Sequence, residues 1–160
     1  MAGNSASHKI ATLVRRLPGL MKIAHHSYRL FQPKFSVGVV GVVFNEAGKV
    51  LLVEHVFHPR HPWGLPGGWI AGAEQPHETA IREIREELSL TVEVEQLLLS
   101  EATLPRHLDF AYLCHSLTVV GNLSHELLAY DWFDPQATPS LLIFHRRAIN
   151  RALEVRAKQN

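Results

Sequence analysis

In the segment LPGGWIAGAEQPHETAIREIREELSL, from Leu65 to Leu90, the glutamates Glu83, Glu86 and Glu87 fall within five residues. The apolar residues Ile81, Ile84 and Leu88 are interleaved with them at helical spacing. An α-helix turns by about 100° per residue, which sets Glu87 at about +40° and Glu86 at about −60° from Glu83. Ile84, Leu88 and Ile81 then stand at about +100°, +140° and +160°. One face of the helix is core, and the face beside it is a carboxylate cluster. Three ionised carboxylates repel one another unless water, cationic side chains or a metal ion sits among them. Pro76 suits the first helical position, where its missing N–H costs nothing, and Gln75 is the implied N-cap.

The rest of the chain must supply the surface that the apolar face covers. Ser36 to Phe44, SVGVVGVVF, reads as a strand buried on both faces. Asn45 to Gly48 is a turn, and Lys49 to Val56 returns as a strand, predicting a hairpin. Val92 to Ser100, Phe110 to Val120 and Leu127 to Phe133 read as further strands. Thr138-Pro139 predicts a helix start, with Leu142, Ile149, Ala152 and Leu153 as the apolar face. Mixed strands with helices between and after them predict an α/β fold. The N-terminal region predicts a helix over Ile10 to Leu17, a break at Pro18-Gly19 and a second short helix to about Phe31. The expected division is a basic helical extension over residues 1–34 and a single domain over residues 35–160.

Of the 160 residues, 46% are hydrophobic and 19% charged, with a formal net charge of +1. Bulk charge therefore gives no reason to expect nucleic acid as partner. The single cysteine, Cys114, lies in FAYLCHS and reads as a buried small hydrophobe. The absence of any possible internal disulfide points to the reducing cytoplasm. No acidic residue precedes Glu46, whereas Lys9, Arg15, Arg16, Lys22, Arg29 and Lys34 do. This start reads as a basic amphipathic helix expected to pack on the domain or on a second subunit, as in a homodimer. An organellar transit peptide and a helix on an anionic membrane are the other readings.

Hard divalent cations such as Mg²⁺ take oxygen ligands and keep waters and phosphate oxygens around them, which suits the acidic face. A solvated acidic face balanced by Arg82 and Arg85 is the alternative. The residues before the helix weigh in here, because Gly67 and Gly68 remove side chains where backbone would meet a ligand. The spacing runs Gly68, five residues, Glu74, seven residues, then Arg82-Glu83-Ile84-Arg85-Glu86-Glu87-Leu88-Ser89-Leu90. It resembles the Nudix box, whose second half reads Arg-Glu-U-x-Glu-Glu-x-Gly-U with U a bulky aliphatic. Ser89 alone departs, standing where the family has glycine. A left-handed helix end would then cost serine about 1 kcal/mol.

The resemblance implies a Nudix-type α/β/α sandwich with a mixed sheet. It implies that Glu83, Glu86, Glu87 and the Gly67 carbonyl hold Mg²⁺ or Mn²⁺, and that Arg82 and Glu74 form an ion pair orienting the acidic face. Gly68 permits the tight loop. The implied reaction is Mg²⁺-dependent hydrolysis of a nucleoside diphosphate linked to a moiety X, with water attacking phosphorus. ADP-ribose or a nucleotide sugar is favoured, Pro105 being the pointer beyond the box. Modified (d)NTPs come next, and a nucleotide-sensing domain without turnover is the non-enzymatic alternative.

The general base is open. Glu126, in SHELLAYDWF, is a candidate or a solvated loop acid, with Asp109 and Glu101 behind it. Arg60, His61 and Trp63 border the glycine loop and are expected to face substrate, although Trp63 is equally suited to core. His55, His58 and His61 lack the spacing of Cys/His zinc signatures, so no zinc site is expected there.

Overall fold

The computed structural model describes residues 18–57 and 59–159. The chain divides into two compact units, Met1–Lys34 and Phe35–Asn160. In the first, the helix α1 spans Pro18–Phe31. The expected helix over Ile10 to Leu17 lies outside the described residues. Among the described residues no helix is long and apolar enough to cross a membrane.

The second unit is an α/β/α sandwich. Its strands are β1 (Ser36–Val43), β2 (Val50–His55), β3 (Trp63–Gly64), β4 (Gly67–Trp69), β5 (Val92–Leu104), β6 (His107–Ser116) and β7 (Leu127–Phe133). The helix α2 spans Pro76–Leu88 and α3 spans Ile143–Gln159. A four-stranded sheet runs β4-β1-β6-β5, with β1 parallel to β6 and the other pairs antiparallel. An antiparallel three-stranded sheet runs β3-β2-β7.

The alternation of β1 explains why it is apolar throughout. Val40 and Val42 face one core, with Leu113 of β6 and Phe144, Ala148, Ile149 and Ala152 of α3. Val43 faces the other, with Ile84 and Leu88 of α2 and Cys114. Strands covered on both faces lose the polar alternation of half-exposed strands. Gly41 makes room where α2 crosses, because a Cβ there would overlap Ile84 Cδ1. Cys114 is buried, and burial pushes its thiol up to about 12. It is an inert small hydrophobe, as its surroundings in the sequence predict.

Three expectations are corrected. First, β1 and β2 do not form a hairpin. The chain reverses at Asn45 to Lys49, but only the bridge Phe44–Val50 joins the two strands. Both edges of β1 are taken by β4 and β6, and both edges of β2 by β3 and β7, so the strands part into separate sheets. Second, β5 runs on to Leu104, and β6 begins at His107 and stops at Ser116. Pro105 and Arg106 close a tight turn, Arg106 having φ 60°. Proline followed by a left-handed residue is the requirement of a type II turn, so Pro105 has a structural reason of its own. Third, α3 starts at Ile143 rather than at Thr138-Pro139. The Pro139 carbonyl accepts from the Arg146 guanidinium, and Leu142 is exposed while Phe144 takes its place in the core.

Tertiary contacts account for the serine at position 89. Ser89 is left-handed (φ 49°, ψ 30°) and its N–H donates to Arg85 O, closing the helix. Its hydroxyl donates to Asn122 O at 3.0 Å. Gly121 lies alongside, where a Cβ would stand 2.9 Å from the Ser89 Cβ. The hydrogen bond, worth about 1 kcal/mol, offsets a left-handed penalty of about the same size. Ser89→Gly is therefore expected to move the unfolding free energy by less than about 1 kcal/mol, measured by denaturant titration.

Candidate active site

The acidic helix is fixed at both ends. At its start, Gln75 N–H donates to Glu78 Oε2 at 2.9 Å, with Pro76 opening the first turn. Thr79 Oγ1 donates to Glu74 Oε2 at 2.8 Å, tying the preceding loop to the first turn. At its end, Gly121 N–H donates to Leu88 O and Ser124 N–H to Glu87 O, both at 2.9 Å. These bonds satisfy carbonyls that a helix end otherwise leaves unpaired. They also bring the loop leading to Glu126 against the acidic helix.

Arg82 organises the acidic face. Its Nε and Nη2 donate to the two oxygens of Glu74 at 2.9 and 3.1 Å. Nη1 donates to Glu83 Oε1 at 2.8 Å and Glu86 Oε2 at 3.1 Å, and Nη2 also reaches Trp69 O at 3.1 Å. The guanidinium holds the Glu74 carboxyl down to about 2, with the Thr79 hydroxyl adding to the effect. The bidentate pair anchors the loop to the helix, and the remaining N–H groups point the acidic side chains.

Gly68 faces the same side. A Cβ there would overlap the Glu83 carboxylate. Glu87 is buried, and its Oε2 accepts from Gly67 N–H at 2.9 Å. Burial raises its carboxyl to about 8, against the lowering effect of that N–H; the charges of Glu83 and Glu126 add to the rise. Glu83 is also raised, first by burial, with Arg82 opposing and Glu86 and Glu126 adding.

These groups line a cleft of about 440 Å³, together with His55, Phe57, Gly67, Gly68, Trp69, Arg82 and Glu126. Glu126 arrives from the loop before β7, and its carbonyl accepts from Val56 N–H at 3.0 Å. The cleft thus gathers Glu83, Glu86, Glu87, Glu126, Arg82, Gly67 and Gly68, with Glu74 behind Arg82. Asp109 and Glu101 are engaged elsewhere, with His107 and Thr103 and with Arg147 respectively.

Arg60, His61 and Trp63 are not among the residues lining the cleft. Arg60 is exposed, and His61 Nδ1 is 3.1 Å from Ser140 Oγ. Trp63 packs against the α3-side core, its ring 5.0 Å from that of Phe133 and edge-on to it. The strand β3 pairs with β2, which commits Trp63 to the second sheet. The aromatics that do line the cleft are Phe57 and Trp69, which sequence reasoning missed. His58 lies outside the described residues.

A divalent cation fits this donor set, which is hard oxygen throughout. Two of the carboxylates, Glu83 and Glu87, are held above their ordinary range by burial first and by neighbouring carboxylates second, a situation that a bound cation reverses. Among the described residues no three Asp, Glu, His or Cys groups already converge as a complete cage. Magnesium does not demand one, since it binds through one or two carboxylates and completes its shell with water and phosphate oxygens.

The NUDIX domain family matches residues 34–152, and the chain belongs to that family. A MutT-like protein of Streptomyces ambofaciens is 32% identical over 104 residues, covering 64% of this chain and 66% of that protein. An RNA pyrophosphohydrolase of Azorhizobium caulinodans is 40% identical over 53 residues, covering 30% of this chain and 32% of that protein. The chain thus spans less than two thirds of the length of either relative. Among solved structures, an ADP-ribose pyrophosphatase of Streptococcus suis superposes with a TM-score of 0.63 at 25% identity. That match covers 81% of this chain and 94% of the other.

The two loop glycines differ in what they tolerate. The Glu83 carboxylate is the far end of a flexible side chain and can swing away from a new Cβ. Gly68→Ala is expected to keep the melting temperature within about 3 °C of wild type while cutting turnover at least about tenfold by misplacing that carboxylate. Thermal melts and initial rates on one preparation check it.

Proposed function

We propose that this chain is a Mg²⁺-dependent pyrophosphohydrolase acting on nucleoside diphosphates linked to a second moiety, with ADP-ribose or a nucleotide sugar the first candidates. The observation supporting this reading is the joining of Glu126 to the Glu83, Glu86 and Glu87 face and the Gly67-Gly68 backbone in one cleft. The Streptococcus suis structure supports the choice of ADP-ribose at the level of a related fold.

Glu83, Glu86, Glu87 and the Gly67 carbonyl would hold the cation. When bound, Mg²⁺ or Mn²⁺ supplies charge neutralisation for pyrophosphate oxygens and lowers the pKa of water in the site. Arg82 holds Glu83 and Glu86 in place through Nη1 and is itself held by Glu74. Gly67 N–H fixes the orientation of the Glu87 carboxylate. Glu126 accepts the proton of the attacking water, as a general base presented from outside the acidic helix. Water oxygen bonds to phosphorus, the bridging P–O bond breaks, and two phosphate monoesters leave when X is joined through its own phosphate.

The test is a panel of ADP-ribose, nucleotide sugars, modified (d)NTPs and a 5′-triphosphorylated oligoribonucleotide, each with Mg²⁺ and with products identified by mass spectrometry. Wild type should hydrolyse at least one diphosphate-linked nucleotide, and chelation should stop it. Glu86→Gln should be slower by about 10²-fold or more. Equal rates in the two proteins, or turnover of nothing in the panel, overturns the reading. Hydrolysis in ¹⁸O-water shows which phosphorus is attacked.

A further inference from the structure

Trp69 borders the cleft, and the hydrolytic reading leaves its ring unused. It is 62% exposed. Its strand is short and lies at the edge of the four-stranded sheet. Successive side chains of a strand point to opposite faces. Gly68 faces Glu83, so Trp69 turns to the other side of the same edge, where it pairs in register with Gly38.

There the indole is braced. Its ring centroid is 5.2 Å from that of His107, at 56°. His107 is held from both sides, by Ser36 Oγ at 2.9 Å on Nδ1 and by Asp109 Oδ1 at 3.0 Å on Nε2. Thr103 Oγ1 donates to the other Asp109 oxygen. Gly38 makes room for this arrangement, since a Cβ there would overlap Asp109 Oδ1. Four polar side chains and a glycine thus fix one exposed aromatic ring. The ring is propped from behind by His107, with its outer surface left open. The link to the carboxylates is short, because Arg82 holds Trp69 O with one nitrogen and Glu83 and Glu86 with another.

We propose that Trp69 is the stacking platform for the nucleobase of the substrate, with the pyrophosphate on the Gly68 side of β4 and the base turned around its free edge. This deepens the reading of the site as a nucleoside-diphosphate hydrolase and rests on it. It makes Trp69 a determinant of substrate class, selecting compounds that carry a base over simple pyrophosphate esters. Stacking uses the face that every base possesses, so the preference extends across bases. His107 is a positioning residue, acting through the indole.

The test separates base from phosphate. In the presence of Mg²⁺, calorimetry with ADP and with inorganic pyrophosphate should show Trp69→Ala weakening ADP by about tenfold to a hundredfold, the range for losing one base–aromatic stack. Pyrophosphate affinity should stay within about twofold of wild type, as expected for a ligand with no ring to stack. Trp69→Phe should restore most of the ADP affinity, and His107→Ala should lower it less than Trp69→Ala does. Unchanged ADP binding in Trp69→Ala, or equal loss for both ligands, overturns the proposal. If wild type shows this base-dependent binding yet hydrolyses nothing, the stacking site stands and the hydrolase reading falls.

Discussion

Replacing Glu87 with Gln is expected to cut turnover by about 10³-fold and, in the absence of metal, to make the protein more stable at pH 8. The variant keeps the shape of the side chain and an acceptor for Gly67 N–H, which donates to Glu87 Oε2 at 2.9 Å. It removes a buried negative charge that faces Glu83 and Glu126. The folded-state carboxyl, at about 8, lies above its ordinary 4.5. A group raised on folding contributes stability that is fully present below its unfolded pKa and is lost as pH rises through the folded value. Wild type without metal should therefore weaken between about pH 4.5 and pH 8, and the Gln variant should not weaken through this group. The gap between them should open with pH and level off above pH 8, reaching on the order of a few kcal/mol. Added Mg²⁺ should close it from the wild-type side, because a cation stabilises the ionised cluster. Denaturant titrations in chelator at pH 5, 7 and 9 decide the matter; a gap independent of pH would falsify this account of Glu87.

Gly67→Ala is expected to be the most damaging change of a single methyl group in the site loop. Gly67 has φ 153°, and a Cβ there would overlap the Val39 carbonyl oxygen, with Val40 Cα 2.7 Å away. Those atoms belong to the backbone of β1, which is paired along its whole length with His107 to Cys114 of β6. The strand cannot yield, so β4 must lift from it. Overpacking of this kind costs about 1–3 kcal/mol, and strained backbone adds to it. Lifting β4 also moves the Gly67 N–H away from Glu87. Both the melting temperature and the rate should fall, in contrast to Gly68→Ala, where the rate alone falls. Gly48→Ala is the control, because a Cβ there meets open space and only the left-handed backbone (φ 74°) opposes it. Equal melting temperatures for Gly67→Ala and wild type would sink the explanation.

The acidic helix was legible in the sequence because everything that shapes it is local. Glu74, Arg82, Glu83, Glu86 and Glu87 lie within fourteen residues, and helical geometry with one ion pair brings them together whatever surrounds them. The two-faced burial of β1 was legible for a similar reason, since an unbroken β-branched run has few other solutions. The end of β5 and the start of β6 were less legible, because Ala102, Thr103 and Leu104 are all exposed and carry no alternation up to the turn at Pro105. The parting of β1 and β2 was not legible at all. A short turn between two apolar runs predicts a hairpin, and only the competition of β4, β6, β3 and β7 for their edges separates them.

The roles of the two tryptophans divide along the same line. Trp63 and Trp69 both border the glycine loop, and nothing in their neighbours tells them apart. Pairing with β2 packs one, half-buried, against Phe133, and the edge position of β4 leaves the other open against His107. Ser89, a departure from the family pattern when read in sequence, is explained by Asn122 and Gly121, some thirty residues downstream.

By itself, then, the sequence determined the helix that carries the carboxylates, the glycines that open space beside it and the arginine that orders it. These depend on backbone geometry over a few turns. Only the tertiary structure decided that Glu126 joins them and that Arg60, His61 and Trp63 do not. Glu126 reaches the site because the N–H groups of Gly121 and Ser124 satisfy the last carbonyls of the acidic helix, and bonds across such a distance leave no periodic trace in the chain.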